Sequence, residues 1–116
     1  MVNFGRTLNN MEKPAILHIK TLDGNWCDKD IIILHACFQL LTDFVEQENA
    51  FTGHVNWHED PAHQSAKEEI LQLYNWWTTR KILDSVDGIN DLEKDQYKED
   101  SEMLIRLVNI RQFLWI

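Results

Sequence analysis

Between residues 54 and 63 the chain reads His54-Val55-Asn56-Trp57-His58-Glu59-Asp60-Pro61-Ala62-His63, placing three imidazoles and two carboxylates in ten residues. Neutral imidazole and carboxylate are ligands that zinc and nickel accept, and His-x3-His sets two rings on one side wherever the backbone makes a helical turn. His54, His58 and His63, with Glu59 or Asp60, are therefore the candidate ligands for a zinc or nickel ion. The stretch lacks the glutamate directly after the first histidine that a metalloprotease motif requires, and a polar loop with solvent-facing histidines accounts for the same residues.

Carboxylates offer a second chemistry. Asp43 and Glu46 lie one helical turn apart, and Glu68 and Glu69 fall on the next helical segment. Acidic clusters between helices hold magnesium in nucleotide pyrophosphohydrolases, where the ion bridges phosphate oxygens and activates water. The paired Glu-x-x-Glu and Glu-x-x-Asp motifs of such enzymes are not in the right places, and Glu99-x-x-Glu102 sits in a generally acidic stretch. A metal-dependent nucleotide phosphohydrolase is thus an alternative reading, not the leading one. No serine lies in a glycine-flanked elbow, none of the four glycines belongs to a phosphate-cradling loop, and Cys37 falls in an apolar row.

Two further sets concern packing and recognition. Trp76 and Trp77 are adjacent, so their side chains diverge by about 100° on a helix. With Trp77 inward, Trp76 lies at the edge of the buried stripe and, with Trp57 and Trp115, forms a candidate recognition surface. Arg111 falls by helical spacing inside the stripe of Leu104, Leu107, Val108, Leu114 and Trp115. A guanidinium cannot be neutralised at ordinary pH, so burial there calls for a carboxylate partner, with Asp43, Glu46 and Glu69 as candidates.

The elements that must position these residues are helical. Asp28 can cap a first helix, approximately 29–49, whose apolar set is Ile33, Leu34, Cys37, Phe38, Leu40, Leu41, Phe44 and Val45. Its opposite face carries His35, Gln39, Thr42, Asp43 and Glu46 and reads as a polar stripe. Asp60-Pro61 reads as a cap followed by proline at the first helical position, opening a second helix, approximately 61–86, that stops before Asp87-Gly88. Asn90 and Glu93 resemble a capping box and start a third helix, approximately 91–114. Ahead of these, residues 15–20 have some strand character and Asp23-Gly24 is a turn signal, so a short hairpin can precede Trp26. The expected architecture is all-α: one domain over 1–116, with an irregular arm over 1–27 and a three-helix antiparallel bundle over 28–116. Phe38, Leu41, Phe44, Val45, Ile70, Leu73, Trp77, Leu104, Leu107 and Val108 are expected to share its core.

Composition bounds the partners. With 19 acidic residues against 11 basic, the net charge of -8 opposes direct binding to nucleic acid or to anionic lipid. The most apolar run, Ile31 to Leu41, contains His35 and Gln39 and is too short to span a bilayer. Neither a secretory leader pattern nor a disulfide framework is present, so the expected setting is the cytoplasm, with Cys27 and Cys37 as reduced thiols. Eight acidic residues against two lysines between Ile82 and Glu102 also allow an acidic nucleic-acid mimic that inhibits a host protein.

The segments Leu34-His35-Ala36-Cys37-Phe38-Gln39-Leu40-Leu41 with Phe44-Val45-Glu46, then Leu73-Tyr74-Asn75-Trp76-Trp77, then Glu102-Met103-Leu104-Ile105-Arg106 with Leu114-Trp115, together resemble small helical proteins of tailed bacteriophages and marine viral metagenomes. The resemblance implies an accessory role, in the host cytoplasm if phage-encoded, and carries no catalytic residue. The apolar and aromatic residues exceed what a small three-helix core hides, which points to self-association. The leading expectation is a noncatalytic binding or assembly protein that meets a protein partner or itself, as a homo-oligomer, through its tryptophan-bearing surface.

Overall fold

Pro61 lacks the N–H that a first helical residue leaves unsatisfied, and the Asp60 side chain accepts from the His63 N–H at 2.8 Å. Together they start the longest helix of the protein, as the Asp-Pro pair predicts. The computed structural model describes residues 17–22, 27–48, 50–53, 55–84 and 94–114. Its helices are α1 (Lys29–Glu46), α2 (Pro61–Leu83) and α3 (Lys94–Asn109), with a 3-10 turn at Arg111–Phe113. The fold is an all-α three-helix bundle.

Paired side chains give the directions of the helices. His35, early in α1, meets Asp84 just beyond α2, while Glu46 at the end of α1 accepts from the Tyr74 hydroxyl in the middle of α2. Asp100, early in α3, pairs with Arg80 late in α2, and Arg106 near the end of α3 pairs with Glu69 nearer the start of α2. The Tyr97 hydroxyl donates to Asp30 at 3.0 Å, so α1 and α3 begin at the same level. Thus α1 and α3 run alike and α2 runs against both.

The core is assembled mainly by the first two helices. Leu34, Phe38, Leu41 and Phe44 of α1 interlock with Ala66, Ile70, Leu73 and Trp77 of α2, and Phe38 stacks on Trp77 with ring centroids 4.9 Å apart. α3 adds Leu107 as its buried apolar residue, with Met103 and Leu104 partly covered. The loop between α1 and α2 closes one end with Ala50 and Trp57.

Several expectations change in detail. Val108 is exposed rather than part of the core, and so are Ile33 and Leu40 of the expected apolar face of α1. His35 and Gln39, expected on the solvent side, are buried. The cause is that α1 is covered on more than one side: α2 takes the Phe38 row, while residues 17–22 lie over the His35–Gln39 row. Asp28 makes no side-chain cap, and its carbonyl instead receives the Ile31 and Ile32 N–H groups at 3.1 Å. Residues 17–22 form a turn and not a strand, with the Leu22 N–H on the Ile19 carbonyl at 3.3 Å. Asp23-Gly24, Trp26, Asp87-Gly88 and the Asn90–Glu93 capping box lie outside the described residues. Among the described residues no helix is long and apolar enough to cross a membrane.

The exposure pattern separates two leucines of one helical turn. Leu41→Ala removes a fully buried side chain and is expected to cost about 2–5 kcal/mol, whereas Leu40→Ala removes a half-exposed one and is expected to cost clearly less. Urea unfolding of the two variants beside the parent protein measures the difference, and equal losses would contradict this packing.

Candidate functional site

The polar side chains that the fold brings together most closely lie at the arm end of α1. His35 is 0% exposed and Arg80 3%. Arg80 reaches this position because Ala66, Ile70, Leu73 and Trp77 step along α2 by four and three residues, and the next core position in that row is residue 80. Its guanidinium is a fork on Asp100 of α3, Nε to Oδ1 at 2.8 Å and Nη2 to Oδ2 at 2.7 Å. Its Nη1 lies 3.0 Å from Asp84 Oδ2, within ion-pair distance but without the angle of a hydrogen bond. That same oxygen is 2.6 Å from His35 Nε2, and His35 Nδ1 is 2.5 Å from the Thr21 hydroxyl. The arm, α1, the end of α2 and α3 are therefore joined by one chain of polar contacts.

Charge states follow from these partners. Burial pulls the Arg80 guanidinium downward, but the hydrogen bonds and charge of Asp100, with Asp84, outweigh it and hold Arg80 above its ordinary value. For His35 burial is the larger effect and lowers it below its ordinary value, against the hydrogen bond and charge of Asp84, with Arg80 lowering it further. A neutral ring with Asp84 at Nε2 carries its proton there, since a carboxylate only accepts. Nδ1 is then bare and receives the Thr21 hydroxyl. Thr, His and Asp in sequence resemble a nucleophile, base and orienting acid, yet the ring is wholly enclosed and gives no substrate a path to Nδ1. The cluster joins the arm to all three helices.

The buried ion pair expected at Arg111 is thus made by Arg80 instead. Arg111 is exposed and donates from Nη1 to the Val108 carbonyl at 2.9 Å. α-Helical phase ends at Asn109, and the 3-10 turn that follows swings Arg111 off the apolar stripe. Its expected partners are engaged elsewhere. Asp43 accepts from Gln39 Nε2 at 2.9 Å, Glu46 from Tyr74, and Glu69 from Arg106 Nε at 2.7 Å. Divided in this way, these carboxylates do not converge on one point. The Arg106 fork holds Glu69 below its ordinary value despite some burial.

The histidine-rich loop is partly gathered. Glu59, Asp60 and His63 present ligand atoms within 4.8 Å of one another. His63 Nδ1 donates to Asp60 Oδ1 at 2.9 Å and lies 4.0 Å from Glu59. The His63 backbone N–H and ring both favour the Asp60 carboxylate, which is held below its ordinary value. An ion taking His63 Nδ1 would have to displace this bond, next to the positive end of the α2 dipole. The exposed His58 is not in this group, and its backbone N–H bonds the Asn56 side chain at 3.0 Å; His54 lies outside the described residues.

The tryptophans also divide. Trp57 is 3% exposed, donates from Nε1 to the Ala50 carbonyl at 2.8 Å and meets Phe44, Phe51 and His63 edge-on, so it anchors the α1–α2 loop and is withdrawn from any recognition surface. Trp76 is half-buried against Phe38 and Trp77. Trp115 lies outside the described residues.

A cleft between the starts of α1 and α3 has no counterpart in the sequence reading. It encloses about 180 Å³ and is lined by Ile31, Ile33 and Leu34 of α1 and by Tyr97, Ser101 and Leu104 of α3, with Asp30 and Asp100 also on its wall. The same two helices also expose Leu40 on α1 and Ile105 and Val108 on α3. Helical spacing is the signal that reveals it: Ile33, Cys37 and Leu40 make one row, and Tyr97, Leu104 and Val108 another, each beside the buried face of its helix.

No protein-family model, curated protein or solved structure matches the chain.

The Arg80 cluster makes a direct prediction. Arg80→Ala strands two carboxylates among three helices and is expected to cost about 3–5 kcal/mol, and Arg80→Lys should not restore it because an ammonium cannot form the fork. Arg111→Ala should change stability by less than about 0.5 kcal/mol. Denaturant unfolding of the three variants checks the assignment of the buried pair to residue 80.

Proposed function

We propose that the protein is a noncatalytic assembly protein that pairs with a second copy of itself through the α1/α3 face. The observation that carries this reading is the set of exposed apolar residues on the two helices, Ile33 and Leu40 of α1 with Tyr97, Ile105 and Val108 of α3, all 47% to 60% exposed, of which Ile33 and Tyr97 line the cleft. Isolated exposed apolar residues are ordinary, but two parallel rows flanking a groove are what an interface provides. The accessory role implied by the likeness to tailed-phage proteins agrees with it. The tryptophan-bearing surface expected from sequence contributes Trp76 at most, since Trp57 is core.

Charge supports a second copy as the occupant. Lys94 and Lys98 lie on the Ile105 side of α3 and are exposed, while Asp30 is on the α1 side of the same cleft. Because α1 and α3 begin at one level, a two-fold axis parallel to the helices sets α1 of each copy over α3 of the other at equal height. Asp30 of one copy then faces Lys94 and Lys98 of the other, and the apolar rows meet. Opposed charges at that end offset part of the repulsion between two acidic chains.

Light scattering after size exclusion tests the proposal over a range of concentrations. The expected result is a dimer mass for the parent protein and a monomer mass for Ile105→Asp, with the helical circular dichroism of the parent retained and an unfolding midpoint lowered by no more than the lost pairing. A monomer mass for the parent protein throughout the range would overturn it.

A further inference from the structure

Residues 17–22 are fastened to α1 by two polar contacts, both made to side chains that the helix buries. The Lys20 N–H donates to Gln39 Oε1 at 3.0 Å, and the Thr21 hydroxyl meets His35 Nδ1 at 2.5 Å. Gln39 is itself oriented by Asp43, which accepts from its Nε2, so its carbonyl is presented to the arm. We propose that this arm is a strap which opens when His35 takes up a proton, while the three helices stay packed.

In the closed form His35 donates from Nε2 to Asp84 and accepts at Nδ1 from Thr21, so every polar atom of the ring has a partner. A proton added at Nδ1 turns that acceptor into a donor. The Thr21 O–H must then turn away and accept instead, and a ring that is wholly enclosed in the closed form comes to carry a charge with no water at Nδ1–H. At Nε2 the new charge is met by Asp84, but that carboxylate is shared with the Arg80 guanidinium, whose Nη1 is 3.0 Å from the same oxygen and whose charge opposes that of the ring.

The groups facing the ring decide where the structure yields. From α2 these are Asp84 and Arg80, from α3 Asp100, and the edge of Trp77 packs on the ring with centroids 4.8 Å apart. The arm contributes Thr21, while its own titratable residues, His18 and Lys20, are exposed. Movement toward α2 would break the Trp77 and Phe38 packing. Lifting residues 17–22 breaks the Lys20–Gln39 and Thr21–His35 hydrogen bonds and brings water to Nδ1–H, with the ring still paired to Asp84.

The sign of the pH effect follows. His35 is lowered below 6.5 when enclosed, so the closed form binds fewer protons than the open one. Closure is therefore complete above about pH 6.5 and weakens as pH falls through that value.

Amide hydrogen exchange on the full chain at about pH 7.5 and about pH 5.5, expressed as protection factors, tests the proposal. The Lys20 N–H is expected to lose protection at least about tenfold at the lower pH, with Leu73 and Trp77 unchanged. His35→Gln, which keeps a donor toward Asp84 and an acceptor toward Thr21, should abolish the step, and His18→Gln should leave it intact. Thr21→Val, at a position outside the helical core, should give low Lys20 protection at both values and covers the case in which His35→Gln does not fold. Equal Lys20 protection at the two pH values in the parent protein, a step that survives His35→Gln, or a parallel loss at Leu73 and Trp77 would each overturn the strap.

Discussion

The buried Arg80 guanidinium is the constraint around which the rest of the structure is arranged. A charge that cannot be removed by deprotonation has to be met by fixed acceptors wherever the chain encloses it. Asp100 meets it from α3 and Asp84 from the end of α2, and Asp84 in turn fixes the tautomer of His35 on α1. The position of each helix is thereby referred to one cation. The same ring then dictates what the arm must supply at Nδ1, and Thr21 supplies a hydroxyl.

This dependence matters most for α3. α1 and α2 interlock through long apolar rows and would find their register by packing, whereas α3 buries Leu107 and partly covers Met103 and Leu104. A short apolar row tolerates a shift of one turn along its neighbour. Two Arg–carboxylate forks do not, because bidentate geometry is lost within an ångström or so of displacement. Arg80–Asp100 and Arg106–Glu69 sit toward opposite ends of α3 and carry their arginines on different helices, so a slide in either direction breaks both.

Much of the architecture was legible in the sequence because it depends on local chemistry. Asp60-Pro61 starts a helix by capping and by a missing donor, and the three- and four-residue spacing of Ile70, Leu73 and Trp77 identifies the buried side of α2. The need for a buried ion pair is legible in the sequence, but helical spacing points to Arg111 where the structure uses Arg80. Arg80 continues the 66–70–73–77 row as well as Arg111 continues the row of α3, and only the change to 3-10 geometry after Asn109, which no residue type announces, separates them. His35 and Gln39 were misplaced for a different reason. Amphipathicity distinguishes polar from apolar sides, whereas α1 has an apolar side against α2, a polar side beneath the arm, and a further apolar row left open beside α3.

That last distribution joins the two surfaces to which function is attached here. A helix in a minimal bundle keeps polar groups outside and apolar groups inside, and α1 departs from this in both directions at once. The buried His35 and Gln39 have partners in the chain itself, so their desolvation is offset by hydrogen bonds within the monomer. Ile33 and Leu40 have none of comparable extent, and apolar side chains gain from burial without needing a directional partner. The polar inversion is therefore resolved inside one molecule, whereas the apolar rows of α1 and α3 stay exposed in a single copy, which is why the proposed pairing is placed on that face.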